Sequence, residues 1–271
     1  MSSQKGGKDV KRRNGRLKRK DVWLRVLYAV LASLVALTLV RSAFREEYSH
    51  VLFCLLTLVL FTLPSLAEKK LNVRLPNLFE AIVLVFIYSA EILGEINCYY
   101  LKIPHWDTML HTVNGFMFAA FGFALLDIIN QNGRTKYKLP PLYLALMAFC
   151  FSMTIGVFWE FFEYYSDLVL GSDMQKDSYL TAINTVILDP TSSNTVVSIK
   201  DISEVVIKYG NGETLVLDKY IDVGLSDTVK DLVVNFVGAL MFCVIGFFYL
   251  KQRGKGRIAR QFIPTLNTDK K

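Results

Sequence analysis

Cysteine and histidine are scarce in this sequence of 271 residues, which contains four cysteines and three histidines. All four cysteines lie inside apolar segments: Cys54, Cys98, Cys150 and Cys243. Disulfide scaffolds and cysteine-rich zinc sites need several thiols at short, regular spacing, so this distribution argues against both. We therefore interpret the four thiols as small packing residues.

Motifs of common enzyme classes are missing as well. The sequence has no His-Glu-x-x-His motif, no serine nucleophile elbow and no recognisable phosphatase motif. No small-x-small cleavage pattern follows the first apolar segment before Arg41 and Arg45, so we do not expect a cleaved signal peptide. Function must therefore be sought in the spacing of individual polar residues.

Positive charge is abundant but restricted to tails and loops. The formal net charge is +7, and basic residues crowd the first twenty positions: Lys5, Lys8, Lys11, Arg12, Arg13, Arg16, Lys18, Arg19 and Lys20. This tail contains no aromatic residue that could stack on a base, so we expect no nucleic-acid partner. Attraction to the anionic headgroups of a lipid bilayer explains it more simply.

Long apolar runs dominate the remainder, since 52% of the residues are hydrophobic. A helix needs about 20 mostly apolar residues to cross a bilayer. Candidates of that kind are Val22 to Val40, His50 to Ala67, Asn77 to Leu101, Asp107 to Asn130, Leu142 to Asp167, and Asp227 to Leu250. The sequence therefore predicts an all-α membrane protein, a bundle of about six transmembrane helices.

The distribution of Lys and Arg predicts the orientation of these helices, because basic residues favour cytoplasmic loops. Three positions gather them: the loop with Lys69, Lys70 and Arg74, the loop with Arg134, Lys136 and Lys138, and the C-terminal tail with Lys251, Arg253, Lys255, Arg257 and Arg260. Both termini are then cytoplasmic. The predicted segments are a basic tail 1–21, helices one to five in 22–167, an extracytoplasmic loop 168–226, the sixth helix 227–250 and a basic tail 251–271.

The long loop contains β-branched residues in three short runs, Thr195 to Ile199, Val205 to Tyr209 and Thr214 to Leu217. Asn211-Gly212 separates the last two runs and is a strong hairpin turn signal. We predict a small extracytoplasmic β-hairpin, with a loosely ordered insertion as the alternative.

Ionisable residues inside membrane helices are costly and need a reason. In the predicted topology they gather toward the extracytoplasmic ends of four helices: Glu91, Glu95, Asp107, His111, Glu160, Glu163, Asp167, Asp227 and Asp231. Several pairs are spaced four residues apart, as Asp107 is from His111, and such pairs share a helix face. The polar stripes can therefore converge in one pocket.

Carboxylates close together in a low-dielectric pocket repel one another unless a cation or protons neutralise them. One imidazole with several carboxylates suits a divalent metal ion, for which we consider zinc, manganese or magnesium. The predicted metal ligands are Asp107, His111, Glu163, Asp227 and Asp231, and the predicted catalytic residues are Glu160 and Glu163.

Structural roles are open for the same residues. Asp107 and Asp227 fall in first helical turns, where a carboxylate caps free N–H groups, and Ser226 is a competing cap. Buried polar networks also hold helices together without binding a ligand. The aromatic run from Phe158 to Tyr165 is interpreted as packing and interface anchoring. The glycines are expected to permit close approach of helices: Gly115, Gly122, Gly156 and Gly238.

Three segments, 105–115 (HWDTMLHTVNG), 159–164 (WEFFEY) and 226–239 (SDTVKDLVVNFVGA), resemble in order the YjdF-like bacterial inner-membrane proteins, and more distantly the VanZ-like family. The resemblance covers roughly Glu91 to Leu250. It implies a bacterial plasma-membrane protein with a compact bundle and a polar site made of Asp107, His111, Glu160, Glu163, Asp227, Asp231 and Asn235. It implies no particular reaction.

Three classes of function fit these observations. The first is a metal-assisted hydrolase or transferase that acts on an envelope or lipid-linked substrate. The second is a cation or proton-coupled carrier, although polar residues do not continue toward the cytoplasm and no inverted repeat is visible. The third is a non-catalytic scaffold or binding protein of the membrane.

Overall fold

The computed structural model describes the backbone of residues 3–131, 138–252, 256 and 259–266, and the side chains of residues 22–130, 138–252, 256 and 259–265. Some basic residues used to predict the orientation lie outside the described residues, among them Arg134, Lys136 and Arg253. The chain divides into two compact units, Met1–Gly156 with Val234–Lys271, and Val157–Val233.

Helices make up almost all of the first unit. In chain order they are α1 (Ser3–Phe44), α2 (Tyr48–Leu60), α3 (Leu63–Leu71), α4 (Asn77–Tyr88), α5 (Tyr99–Lys102) and α6 (Trp106–Gln131). Two further helices each run unbroken from one unit into the other: α7 (Pro141–Leu170) and α8 (Leu225–Lys251). The predicted, mostly helical fold class is confirmed.

Within the described residues, five helical stretches are long and apolar enough to cross a membrane: Val22–Phe44, Tyr48–Leu71, Trp106–Asn130, Pro141–Leu170 and Leu225–Lys251. The predicted count of about six is not confirmed, because the third predicted segment is interrupted. There α4 is 12 residues long and continues as an 8-residue π-helix, Ser89–Ile96. Cys98 then takes a left-handed conformation (φ 58°) before the four-residue α5.

The main apolar core of the first unit lies around α6 and α8. Phe242 of α8 packs edge to face against Phe116 and Phe123 of α6, with ring centroids 5.2 and 5.8 Å apart. Phe123 and Phe242 are both fully buried. The four cysteines are free thiols, and of these Cys54 and Cys243 are buried, as packing residues are expected to be.

Two glycines bring the backbones of α6 and α8 into direct contact. A Cβ added at Gly115 would lie 2.1 Å from the carbonyl oxygen of Asn235, and one at Gly238 would lie 1.9 Å from that of Thr112. Only a hydrogen atom in place of a side chain fits so close to another backbone. The predicted role of Gly115 and Gly238 in close helix approach is confirmed.

Part of the predicted C-terminal tail is folded within the first unit. Ala259–Gln261 form a 3-10 turn, and β8 (Thr265–Leu266) pairs antiparallel with β1 (Val73–Arg74) of the loop between α3 and α4. Ala259 and Ile263 are buried in the main core. The prediction of a basic tail from residue 251 onward is therefore incomplete, because apolar residues between the charged ones are buried in the core of the unit.

The second unit contains the long loop, which forms three short antiparallel strand pairs. They are β2 (Tyr179–Leu180) with β7 (Tyr220–Ile221), β3 (Ile183–Thr185) with β4 (Val197–Ile199), and β5 (Val205–Tyr209) with β6 (Glu213–Leu217). The β5–β6 pair is the predicted hairpin. Gly210 and Gly212, with φ of 55° and 95°, supply the left-handed conformations that its three-residue turn requires.

Hydrogen bonds to carboxylates shape the loop between β3 and β4. Asp189 accepts bonds from the hydroxyl and N–H of Thr191 and from the N–H groups of Ser193 and Thr195. These donors hold the pKa of Asp189 well below its usual range, because they favour the ionised form. The alternative of a loosely ordered insertion does not describe this part of the chain.

Substituting Gly238 by Ala should strongly destabilise the protein, because the new methyl group would collide with backbone rather than with a movable side chain. We expect a loss of about 1 to 3 kcal/mol or more in the free energy of unfolding. Thermal unfolding of the detergent-purified protein measures it. Gly256→Ala is the control, since its nearest neighbour would lie at 3.5 Å. Equal stability of the two variants would contradict the packing described.

Candidate metal centre

The site begins at the first turns of α6. The carboxylate oxygen Oδ1 of Asp107 lies 3.5 Å from Nε2 of His111, four residues later on the same helix face. His111 is buried. The second oxygen of Asp107, Oδ2, is also buried and has no hydrogen-bond partner among the described residues. A cation or a further hydrogen-bond donor would satisfy this buried carboxylate oxygen.

On α7, a buried stripe carries the next two carboxylates. Glu160 and Glu163 are only 4% and 8% exposed. Trp159 lies four residues before Glu163, and its indole N–H donates to Glu163 Oε1 at 2.8 Å. The neighbouring aromatic side chains on the other faces are exposed: Phe158, Phe161, Phe162, Tyr164 and Tyr165. The acidic face of this helix is thus distinct from its aromatic faces.

On α8, Asp231 and Asn235 are each 1% exposed and are separated by one helical turn. The amide nitrogen of Asn235 donates to the sulfur of Met153 on α7 at 3.5 Å. These two of the three predicted polar residues of α8 are therefore buried on one helix face.

Two groups of these side chains could hold a metal ion. Asp107, His111 and Asp231 offer ligand atoms that all lie within 4.8 Å of one another, and so do His111, Glu160 and Glu163. His111 belongs to both groups. One imidazole nitrogen with carboxylate oxygens is a donor set that fits zinc or manganese. Four of the five predicted metal ligands thus fall in the two groups.

Asp227, the fifth predicted ligand, belongs to neither group among the described residues. It is buried and accepts a hydrogen bond from the backbone N–H of Lys176 at 2.9 Å, and its other oxygen lies 3.2 Å from Nζ of Lys230. The N–H of Ser226, at the start of α8, instead bonds to Asp222. The structure therefore gives Asp227 a role in fixing the loop rather than capping α8.

Asp167 and Asp222 also serve the loop. Asp167 accepts the N–H groups of Met174 and Gln175 at 2.6 and 2.8 Å. Burial opposes ionisation of Asp222, but the hydroxyl and N–H of Ser226 and the N–H of Ser178 hold the pKa of this carboxyl below its ordinary value. By accepting these hydrogen bonds, the two carboxylates stabilise the parts of the loop that adjoin α7 and α8.

Other sequence candidates lie outside the two groups. Glu91 and Glu95 are on the π-helix, and His105 is exposed with a left-handed backbone (φ 61°) just before α6. Sequence reasoning missed the hydrogen bond from Trp159 to Glu163, because it interprets the aromatic run as packing and interface anchoring. The spacing of Trp159, four residues before Glu163, was the available signal.

The geometry defines a multi-pass helical membrane protein with a buried cluster of carboxylates and one histidine. A family model described as "Predicted membrane protein (DUF2238)" matches residues 27–252, so the chain belongs to that family. An uncharacterized protein of Thermotoga maritima is 26% identical over 152 residues, covering 56% of this chain and 74% of that protein. No solved structure matches. The resemblance to YjdF-like proteins is compatible with this family although neither match names it, and the VanZ-like resemblance is not shown.

Removal of the Asp227 carboxylate should loosen the loop, since the backbone N–H of Lys176 would lose its acceptor. We expect Asp227→Ala to lower the free energy of unfolding by about 1 to 3 kcal/mol. Hydrogen–deuterium exchange at Lys176 should also become faster. Asp218→Ala, at an exposed position of the same unit, is the matched control. Unchanged protection at Lys176 in Asp227→Ala would show that the hydrogen bond does not hold the loop.

Proposed function

We propose that this protein is a membrane-embedded enzyme, a metal-assisted hydrolase or transferase. The observation that carries the proposal is the sharing of His111 between two groups of closely spaced ligand atoms, Asp107 with Asp231 and Glu160 with Glu163. Burying several carboxylates beside one another is unfavourable unless positive charge compensates them. A divalent cation supplies that charge within a small volume.

The proposed ligands are Asp107, His111, Glu163 and Asp231, and the ion is zinc or manganese. Such an ion lowers the pKa of a water molecule and polarises an oxygen of the substrate. The hydrogen bond from Trp159 to Glu163 supports this assignment, because a donor to one carboxylate oxygen fixes the orientation of the other. Asp227 is left out of the proposed set because it bonds to the loop.

Glu160 is the proposed general base. It lies three residues before Glu163 on the same buried face of α7, so one carboxylate can bind the ion while the other accepts a proton. Glu160 would take the proton of the attacking water or hydroxyl as the new bond to the substrate forms. The bond to the leaving group breaks in the same reaction, and Glu160 then gives the proton it has taken to the leaving group, which restores the carboxylate.

A lipid-linked or phosphorylated envelope component is the proposed class of substrate. The residues of the cluster lie on α6, α7 and α8, all of which are candidate membrane spans. A substrate with a lipid chain partitions into the membrane and is therefore concentrated beside these helices. An anionic phosphate would add ligand oxygens that a divalent ion accepts.

The proposed location is a bacterial plasma membrane, with both termini cytoplasmic and the loop between α7 and α8 outside. The asymmetry of Lys and Arg along the sequence supports this orientation. Pairing of β1 with β8 is consistent with it, since a loop and the C-terminal segment that pair must lie on one side. The basic tails would then face anionic lipid headgroups.

Metal analysis of the detergent-purified full chain tests the proposed function. We expect the wild type to bind close to one equivalent of zinc or manganese, and His111→Ala to bind at least about tenfold more weakly. Both ligand groups lose their shared nitrogen in this variant. His105→Ala, at an exposed histidine outside both groups, should bind as the wild type does.

A stable wild type that takes up no metal would refute the proposed site, as would equal affinity of wild type and His111→Ala. If the metal is present, ion flux into proteoliposomes separates an enzyme from a carrier. The enzyme proposal expects no flux above that of His111→Ala. Metal-dependent flux would instead favour the carrier.

The orientation has a direct test in thiol labelling of intact cells. Ser193→Cys, at an exposed position of the loop, should react with a membrane-impermeant maleimide. Lys69→Cys, at an exposed position of α3, should react only after the cells are permeabilised. Labelling of the wild type gives the background from its own cysteines. The reverse pattern would invert the proposed topology.

A further inference from the structure

Asn235 lies one helical turn from the proposed ligands, and so do Gly115 on α6 and Gly156 on α7. It follows Asp231 by four residues on α8, as Gly115 follows His111 on α6, while Gly156 precedes Glu160 by four on α7. Residues four apart lie on the same helix face, about 6 Å apart along the axis. The side chain at this level is Asn235, and glycines stand at the equivalent positions of the other two helices.

The two glycines make room for Asn235. A Cβ added at Gly156 would lie 2.7 Å from its amide nitrogen, and a Cβ at Gly115 would lie 2.1 Å from its backbone oxygen. The residue is therefore held between α6 and α7 with little freedom to change rotamer, and only 1% of it is exposed. Its neighbours at Gly115 and Gly156 are backbone rather than movable side chains, so they restrict its position strongly.

The amide of Asn235 is satisfied on one side only. Nδ2 donates to Met153, but Oδ1 is buried and has no hydrogen-bond partner among the described residues. Leaving a buried carbonyl oxygen unbonded is costly, and a hydrophobic residue at this position would avoid the cost. Like Asp107 Oδ2, this oxygen is a buried acceptor near the cluster that has no hydrogen-bond partner among the described residues.

We infer that Asn235 supplies, through Oδ1, a further and neutral oxygen ligand to the metal ion proposed above. This inference rests on the proposed function. A neutral amide oxygen adds coordination without adding another negative charge to a cluster that already contains several carboxylates. Asn235 also lies at the level where the backbones of α6 and α8 are in direct contact, since its carbonyl oxygen faces Gly115.

Isothermal titration of manganese and of zinc into the metal-free full chain tests the inference. Asn235→Ala should bind at least about tenfold more weakly than the wild type. Ser152→Ala is the matched control: Ser152 is fully buried near Asn235, but its hydroxyl already donates to the carbonyl of Gly115 at 2.8 Å. This control should bind as the wild type does.

Asn235→Asp separates a ligand from a packing residue, and it also serves if Asn235→Ala fails to fold. The substitution keeps the shape and adds a charge, so a ligand at this position should bind the ion at least about tenfold more tightly. A residue that only packs would lower the stability of the metal-free protein and leave the affinity unchanged. Wild-type affinity in both variants, or in Asn235→Asp alone, would overturn the inference while the proposed function stands. A wild type that binds neither ion would overturn both.

Discussion

The contact of α6 with α8 at Gly115 and Gly238 is the constraint on which the rest of the site depends. A side chain at either glycine would overlap a backbone carbonyl, so the two helices keep a fixed register along each other. Because proteins pack densely and deform little, register fixed at two points also fixes the residues one turn away. His111 and Asp231 each lie one turn from this contact, and their positions follow from it.

The electrostatic cost of burying several carboxylates together favours the binding of a cation to this cluster. Asp231 and Glu160 are almost completely buried, and removing carboxylates from water costs several kcal/mol each even after relaxation. The chain offers some compensation, such as the indole N–H of Trp159 on Glu163. It leaves other oxygens, at Asp107 and Asn235, with no hydrogen-bond partner among the described residues.

Acidic residues at helix ends have two separate roles in this protein. Asp167, Asp222 and Asp227 accept backbone N–H groups of the loop and thereby join the strand pairs to α7 and α8. Glu160, Glu163 and Asp231 lie in the ligand groups. Spacing alone cannot separate the roles of Asp167 and Asp227 from those of Glu163 and Asp231, because each residue of the first pair lies four positions from one of the second on the same helix face.

The sequence by itself determined the membrane class, all five of the apolar spans described, the hairpin around Asn211-Gly212 and the helix faces that carry His111 and the carboxylates. These follow from local periodicity, length and turn chemistry, which each segment carries within itself. The tertiary structure decided that Asn77 to Leu101 is interrupted by a π-helix, that residues from Ala259 to Leu266 fold back, and that Asp227 serves the loop. It also decided which stripes converge, because convergence depends on contacts between segments distant in sequence, such as Gly115 with Asn235, that no local pattern encodes.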